Sequence, residues 1–334
     1  MTTQNLSIIN LEQSFTDNSN RFALDVLEGL SSHPKSIPAK YFYDEKGSHL
    51  FVQITEQPEY YLMKCELEII EQRKQSILKM VANAPFRLVE LGVGDGCKTR
   101  ILLNHFLKHG LEFEYVIVDC CAEMVERVVS TLEKEYVNFP IKIVGIVSEY
   151  SQALTWLSKK NAIRNIVMFL GSSIGNFNPI ETRHLLFEMW KALNDRDSVY
   201  IGFDLKKDVS ILQQAYSDAG GITKKFNLNL LERMNRELGA NFDSNLFGHH
   251  CFYNPLEGRM ESWLMSTQAQ TITFKTLKKT VQFEPWEGIH VESSYKYEQK
   301  QIKALAEEMG FVMTHEFLDK KGYLMDALWQ VKKN

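Results

Sequence analysis

The stretch Arg87-Leu-Val-Glu-Leu-Gly-Val-Gly-Asp-Gly96 decides the fold. Residues 87–91 form a short apolar run that stops at glycine, the pattern of a strand buried on both faces. Residues 98–107 then read as a helix, and the alternation continues downstream. Tyr-Val-Ile-Val at 115–118 is a second strand and ends on Asp119. Residues 122–136 carry Met124, Val128, Val129 and Leu132 at helical spacing. Strands follow at 141–147 and 165–170, a helix at 182–193 and a strand at 199–203. Strand alternating with helix requires parallel strands joined by right-handed crossovers, which makes a doubly wound α/β sheet. The C-terminal end departs from this pattern. A helix carrying Ile302, Leu305, Ala306 and Met309 stops at Gly310. Two strand-like segments follow, 311–317 and 323–331, joined by a turn at Lys320-Lys321-Gly322. An antiparallel hairpin closes a mainly parallel sheet.

The chain has 334 residues, and at roughly 150 residues per domain that makes about two domains. Between 206 and 290 the pattern is irregular, with helices first and strands later, and the first 65 residues are also off-pattern. The expected division is a cofactor domain at 66–206 and 291–334, and an α+β substrate domain at 1–65 and 207–290. With 44% hydrophobic and 24% charged residues, the chain is neither disordered, collagen-like nor a coiled coil. A net charge of −4 gives no field that would gather nucleic acid or an anionic membrane. No apolar run approaches the roughly 20 residues that span a bilayer. The N-terminus lacks a basic segment followed by an apolar one, so no signal peptide is expected, and the protein is expected to be a cytoplasmic monomer.

Five cysteines at irregular spacing, with no Cys-x-x-Cys pair, argue against a zinc cage and for a reducing compartment. Adjacent Cys120 and Cys121 read as free thiols at a helix start. His249 and His250, being neighbours, face different ways, and no acidic or thiol cluster completes a metal site. No metal is expected.

Ligands of doubly wound sheets sit at the carboxyl ends of the strands. Gly92, Gly94 and Gly96 would let the backbone pass close to a bound molecule there. The loop is not a P-loop, because Lys98 does not directly follow a glycine. It is also a poor dinucleotide fingerprint, since Cys97 occupies the place of the third glycine, which speaks against a nicotinamide oxidoreductase. Asp119, 27 residues after Gly92, offers a carboxylate to a ribose diol. Glu149 and Tyr150 follow the third strand, where a polar acceptor and an aromatic ring suit an adenine. Together with the terminal hairpin, these features fit a site for S-adenosylmethionine.

Longer stretches carry a resemblance. They are Pro38-Ala-Lys-Tyr-Phe-Tyr-Asp44, Phe51-Val-Gln-Ile-Thr-Glu-Gln-Pro-Glu-Tyr-Tyr61 and Leu88-Val-Glu-Leu-Gly92. They continue with Phe169-Leu-Gly-Ser-Ser-Ile-Gly-Asn176, Asn235-Arg-Glu-Leu238 and Glu292-Ser-Ser-Tyr-Lys296. From about residue 30 onward the chain resembles the histidine Nα-methyltransferases of ergothioneine biosynthesis. The resemblance implies a class I methyltransferase fold with a substrate domain. It implies methyl transfer from S-adenosylmethionine to the α-amino group of histidine, repeated to the trimethylated betaine, hercynine. It places Gly92, Lys98 and Asp119 on cofactor positions, with Glu149 and Tyr150 where the family usually has Asp-Phe. Tyr60, Asn176, Tyr216, Glu292 and Ser294 fall on amino-acid-binding positions, and Tyr43 and Phe51 lie in motifs that border the site. Without the resemblance, Tyr60 and Tyr61 read as core aromatics and Asn176 as a turn residue.

These residue types suit the substrate. Asn176 and Tyr216 can donate to a carboxylate. Glu292 can accept the N–H of a neutral imidazole, or pair with an imidazolium, while Ser294 donates to the other ring nitrogen. No side chain is assigned as a general base. One position departs from the family. Its Arg-Ile-Glu-Met run is Arg259-Met260-Glu261-Ser262 here, and the smaller, polar Ser262 would enlarge or wet a side-chain pocket. An aromatic amino acid or derivative such as tryptophan is therefore the alternative substrate. A non-catalytic sensor of S-adenosylmethionine or an amino acid is the alternative outside catalysis.

Overall fold

The structure, a computed structural model, describes residues 7–11, 15–160 and 162–333. The chain begins with β1 (Ser7–Asn10), α1 (Phe15–Ser31), β2 (Lys35–Ser36), α2 (Glu45–Thr55) and the long α3 (Tyr61–Val81). Strand and helix then alternate through β3 (Phe86–Leu91), α4 (Cys97–Lys108), β4 (Phe113–Asp119), α5 (Ala122–Glu135), β5 (Ile141–Val147), α6 (Tyr150–Leu157), β6 (Arg164–Phe169), α7 (Pro179–Ala192) and β7 (Ser198–Asp204). Next come α8 (Val209–Ala215), α9 (Ile222–Leu238) and five strands: β8 (Phe247–Asn254), β9 (Arg259–Ser266), β10 (Gln270–Phe274), β11 (Lys279–Phe283) and β12 (Gly288–Tyr295). The chain closes with α10 (Gln299–Glu308), β13 (Phe311–Leu318) and β14 (Leu324–Val331).

Two compact units result. One holds β1, Tyr61–Lys206 and the chain from Lys296; the other holds α1 to Tyr60 and Lys207–Tyr295. The expected boundary at residue 65 thus differs from the observed one. β1 runs parallel to β5, with Ser7 opposite Val144 and Asn10 opposite Val147, so the first strand edges the large sheet. Likewise α3 starts at Tyr61 and belongs wholly to the first unit.

The first unit is built on an eight-stranded sheet ordered β1-β5-β4-β3-β6-β7-β14-β13. The first six are parallel, and β14 runs antiparallel to both β7 and β13. This is the doubly wound sheet with a terminal hairpin that the sequence implied. All six residues of β3 are buried, as a central strand covered on both faces demands. The hairpin is anchored by Trp329, which packs 5.6 Å from the ring of Phe203 and 5.7 Å from Phe311. Helix α7 begins three residues before the reading placed it. Asn178 accepts from the amides of Ile180 and Glu181, and Glu181 accepts from the amide of Asn178. With Pro179 in the first helical position, Asn-Pro-x-Glu was the readable start signal.

The second unit carries a four-stranded sheet ordered β2-β12-β9-β8 and the separate ribbon β10-β11. Its core gathers Phe22, Phe42, Phe226, Leu230, Leu231, Met234, Leu264, Phe274 and Phe283. Helix α9 looked irregular in sequence because Asn227 and Asn229 interrupt its apolar stripe. Both are buried, and Asn229 donates to Asp44 at 2.7 Å.

The chain passes between the units at 60–61, 206–207 and 295–296. Within the first unit the ends of all three passages meet. Tyr61 donates to both oxygens of Asp204 at 2.9 and 2.7 Å, and the Lys296 ammonium lies 2.8 Å from Asp204 Oδ2. Neither charged side chain is exposed. Removing one partner of a buried ion pair strands the other charge and costs about 3–5 kcal/mol. Lys296→Met should lower the unfolding free energy by about that amount in a urea titration.

Candidate active site

Strands β3, β4, β5 and β6 all end at the same edge of their sheet. The order reverses at β3, which has β4 and β5 on one side and β6 and β7 on the other. That crevice is where such folds bind ligands. Gly92, Gly94 and Gly96 all have positive φ, at 76°, 56° and 71°. A side chain at Gly92 would place its Cβ 2.9 Å from the Tyr150 hydroxyl, so the backbone there is bare where Tyr150 approaches. Asp119 ends β4, and its carboxylate accepts from the amides of Cys121, Gly94 and Cys120. Burial raises its pKa, and those amides pull against the rise. The Tyr150 ring packs edge-on against Phe169 at 5.3 Å. Burial, with the nearby Asp119 charge, pushes its hydroxyl pKa upward. Glu149 occupies the N-cap of α6. Gly92, Asp119 and Tyr150 therefore form one cradle. Its glycine backbone, fixed acceptor and aromatic face fit a nucleoside.

Lys98 turns to another part of the crevice. Its ammonium lies 2.6 Å from Glu66, a fully buried residue of α3, and 3.2 Å from where a Cβ would stand on Gly171. Burial lowers the Lys98 pKa, but the charge and hydrogen bond of Glu66, with the nearby Glu90 and Cys97, together outweigh it and the net shift is upward. Gly171 and Ser172 are both left-handed, with φ of 75° and 55°. Such a conformation is uncommon for a serine and marks a loop held by its surroundings. Asn176 ends the short 3-10 helix that follows.

In the second unit, Tyr43, Phe51 and Tyr60 gather around α9. Phe51 lies 5.6 Å from Tyr43, 6.2 Å from Tyr60 and 6.0 Å from Phe226. Tyr216 ends α8 and donates to Ser294 at 2.6 Å, so these two are direct partners. A β-bulge between His290 and Glu292 shifts the register of β12 against β9. Ile289 faces Leu264 and Glu292 faces Ser262. Residues three apart on β12 therefore meet residues two apart on β9. The extra residue turns Glu292 and Ser294 to the face they share with Ile289, as bulges re-aim side chains. Ser262 Oγ stands 3.4 Å from Glu292 Oε2, a long contact. Ser262 also faces Cys251 on β8. His249, on the same strand, is largely buried, and that burial lowers its pKa to about 4.

A family model described as histidine-specific methyltransferase, SAM-dependent, matches residues 22–331. The chain belongs to that family. It is similar to the histidine N-alpha-methyltransferase of Mycobacterium tuberculosis, with 35% identity over 298 residues, 89% of this chain and 91% of that protein. The protein of the same name from Mycolicibacterium smegmatis is 36% identical over the same shares. Ergothioneine biosynthesis protein 1 of Schizosaccharomyces pombe is 29% identical over 313 residues, 90% of this chain but 40% of that protein. S-adenosylmethionine is thus the cofactor of this methyltransferase, as the resemblance implied. The glycine cradle and the Asp119 carboxylate are of the kind its nucleoside needs. Among the described residues, no helix is long and apolar enough to cross a membrane.

Three residues that shape the crevice escaped the sequence reading: Glu66, Glu90 and Asp204. The signal for Glu66 was a carboxylate within the apolar stripe Cys65, Ile69 and Ile70, all of which are buried. Glu90, 1% exposed in β3, accepts from the Tyr115 hydroxyl. Burial raises its pKa to about 7, against the pull of Tyr115 and Lys98. Because the folded-state value lies above the unfolded one, the fold is favoured below about pH 4.5 and loses that advantage as pH rises through about 7. Glu90→Gln keeps an acceptor for Tyr115 but cannot ionise. Denaturant unfolding at pH 5 and pH 8 should show the variant losing less stability than the wild type across that interval, by about 2–3 kcal/mol.

Proposed function

We propose that this methyltransferase transfers methyl groups to the α-amino group of L-histidine and continues to the trimethylated betaine. The observation that carries the reading is the placement of Glu292 and Ser294 on one face of β12, beside Tyr216. A carboxylate and a hydroxyl set two residues apart match the two edges of an imidazole. Glu292 accepts the ring N–H, and Ser294 donates to the second nitrogen, which fixes the tautomer and orientation. Membership in a histidine-specific family supports the same assignment.

The remaining residues serve the rest of the two molecules. Asn176 donates to the amino-acid carboxylate, Tyr216 spends its one hydrogen on Ser294 and so orients that hydroxyl toward the substrate, and the aromatic group of Tyr43, Phe51 and Tyr60 borders the amine. Gly92, Asp119, Glu149 and Tyr150 receive the nucleoside, and the Lys98 ammonium suits the carboxylate of the amino-acid tail. The bound cofactor supplies a methyl group on a positively charged sulfur. The residues of this chain orient the amine toward that carbon, and holding reacting atoms about 3–3.5 Å apart is a large part of such catalysis. The amine must shed its proton before each attack. Transfer out of water favours the neutral form, and the proton passes to water, no side chain being assigned as its acceptor. Repeated transfer requires space that tolerates a growing amine.

Ser262 bears on specificity. It is buried and stands opposite Glu292 in the strand register. A serine there leaves more volume near the side-chain subsite than a methionine would. Aromatic amino acids larger than histidine are the substrates such a pocket would admit next.

Purified protein with S-adenosylmethionine and an equimolar pool of the twenty amino acids should yield histidine carrying up to three added methyl groups, read by mass spectrometry. Methylation of another amino acid instead would transfer the assignment to that substrate. Glu292→Ala should raise the KM for histidine by about 10²-fold, the scale of a lost charged hydrogen bond, while leaving the KM for S-adenosylmethionine within a factor of two.

A further inference from the structure

Glu66 meets Lys98 in the crevice, and the rest of its surroundings are unusual. Its side chain is 1% exposed and carries three contacts. The Gly171 amide donates to both carboxylate oxygens, at 2.8 and 2.9 Å, and the Lys98 ammonium reaches Oε2 at 2.6 Å. The opposite side of the carboxylate abuts β7. A Cβ on Gly202 would fall 2.4 Å from Glu66 Oε1, so only glycine leaves room for it. The buried carboxyl of Asp326 approaches the same point, at 3.2 Å, and accepts from the Tyr200 hydroxyl. Burial, followed by the Glu66 charge, raises the Asp326 pKa far above the usual carboxylate range. The carboxylate that meets Lys98 is that of Glu66, in the 2.6 Å ion pair.

The position of the Gly171 amide has consequences along the chain. Gly171 and Ser172 are consecutive left-handed residues, and the 3-10 helix ending at Asn176 starts directly after them. The turn has a hydrogen bond of its own from the Ser173 hydroxyl to the Leu170 carbonyl at 2.8 Å, and a left-handed pair of this kind persists where its surroundings hold it. It is pinned at its first amide by Glu66 and at Ser172 Oγ by the Asp204 amide, which donates at 2.9 Å.

We propose that Glu66 is a positioning residue serving two subsites through one carboxylate. Its charge holds the Lys98 ammonium for the cofactor, and its hydrogen bonds to Gly171 hold the turn that presents Asn176 to the amino acid. This rests on the assignment of Lys98 and Asn176 made above. The two functions separate chemically. Lys98 is a flexible chain that can follow a displaced carboxylate, whereas a backbone amide cannot. Glu66→Gln keeps an acceptor for Gly171 and removes the charge. Glu66→Asp keeps the charge and withdraws it by one methylene.

Calorimetric titration of both variants with S-adenosylhomocysteine and with L-histidine tests this, with melting curves recorded alongside. Glu66→Gln should weaken S-adenosylhomocysteine tenfold or more and histidine less than threefold. Glu66→Asp should do the reverse. Parallel loss of both ligands in both variants, following a fall in melting temperature, would mean a purely structural ion pair and overturn the proposal. So would affinities within threefold of wild type throughout. If Glu66→Gln does not fold, Glu66→Asp decides alone, through the ratio of the two affinities. Histidine binding and turnover by the wild-type chain test the substrate assignment separately, so a chain that fails there refutes that assignment and leaves the Glu66 measurement interpretable through S-adenosylhomocysteine.

Discussion

A buried salt bridge stands at the point on which the architecture turns. Lys296 and Asp204 have no exposed side-chain surface, and two charges so removed from water hold only if their remaining valences are filled. Tyr61 supplies hydrogen bonds to both Asp204 oxygens. The Asp204 backbone joins in: its amide donates to Ser172 Oγ, and its carbonyl accepts from the Tyr297 amide. One residue at the end of β7 thus fixes the start of α3, the left-handed turn after β6 and the return of the chain ahead of α10. The start of α3, the end of β7 and Lys296 also lie beside the points where the chain leaves and re-enters the first unit. Two segments distant in sequence are inserted into this sheet protein, and the cluster is where the interruptions are sealed.

The same logic governs the crevice. Parallel strands deliver their carboxyl ends to one edge, and each end carries a group: the glycine loop after β3, Asp119 on β4, Glu149 and Tyr150 after β5, Gly171 after β6. Backbone amides and a buried ion pair hold these groups. Asp119 is fixed by three amides, and Lys98 by Glu66. Rigid supports of this kind let a site bind a flexible, charged cofactor without ordering its own side chains at the moment of binding.

Much of this was legible. The alternation of 87–91, 115–118, 141–147, 165–170 and 199–203 with helices dictated the sheet, because strands covered on both faces must be continuously apolar. The terminal hairpin showed in two strand-like runs around Lys320-Lys321-Gly322. Gly92 and Asp119 could be placed at strand ends by counting. Less legible was β1, a four-residue strand whose pairing partner lies more than 130 residues away. The start of α7 was missed, although Asn178 and Glu181 spelled it out. Glu66 was invisible as a functional group, since a glutamate in a helix is ordinarily solvated, and only packing against Gly171 and Gly202 makes it a buried anchor.

Sequence by itself determined the alternation of strand and helix from residue 87 to 203, the terminal hairpin and the family. Local periodicity depends on neighbours in the chain, and specific runs such as Gly171-Ser-Ser-Ile-Gly-Asn176 and Pro58-Glu-Tyr-Tyr61 carry their kinship without folding. Tertiary structure alone decided which side chains face each other. The bulge in β12 adds one residue to one strand, and because side chains alternate with a period of two, that residue reverses the face of everything after it. Glu292 and Ser294 share a face with Ile289 for that reason. The charge states followed the same rule. Glu90, Asp326 and Lys98 depart from their ordinary pKa values because burial and a neighbouring charge, neither of which is written in local sequence, set the cost of ionisation.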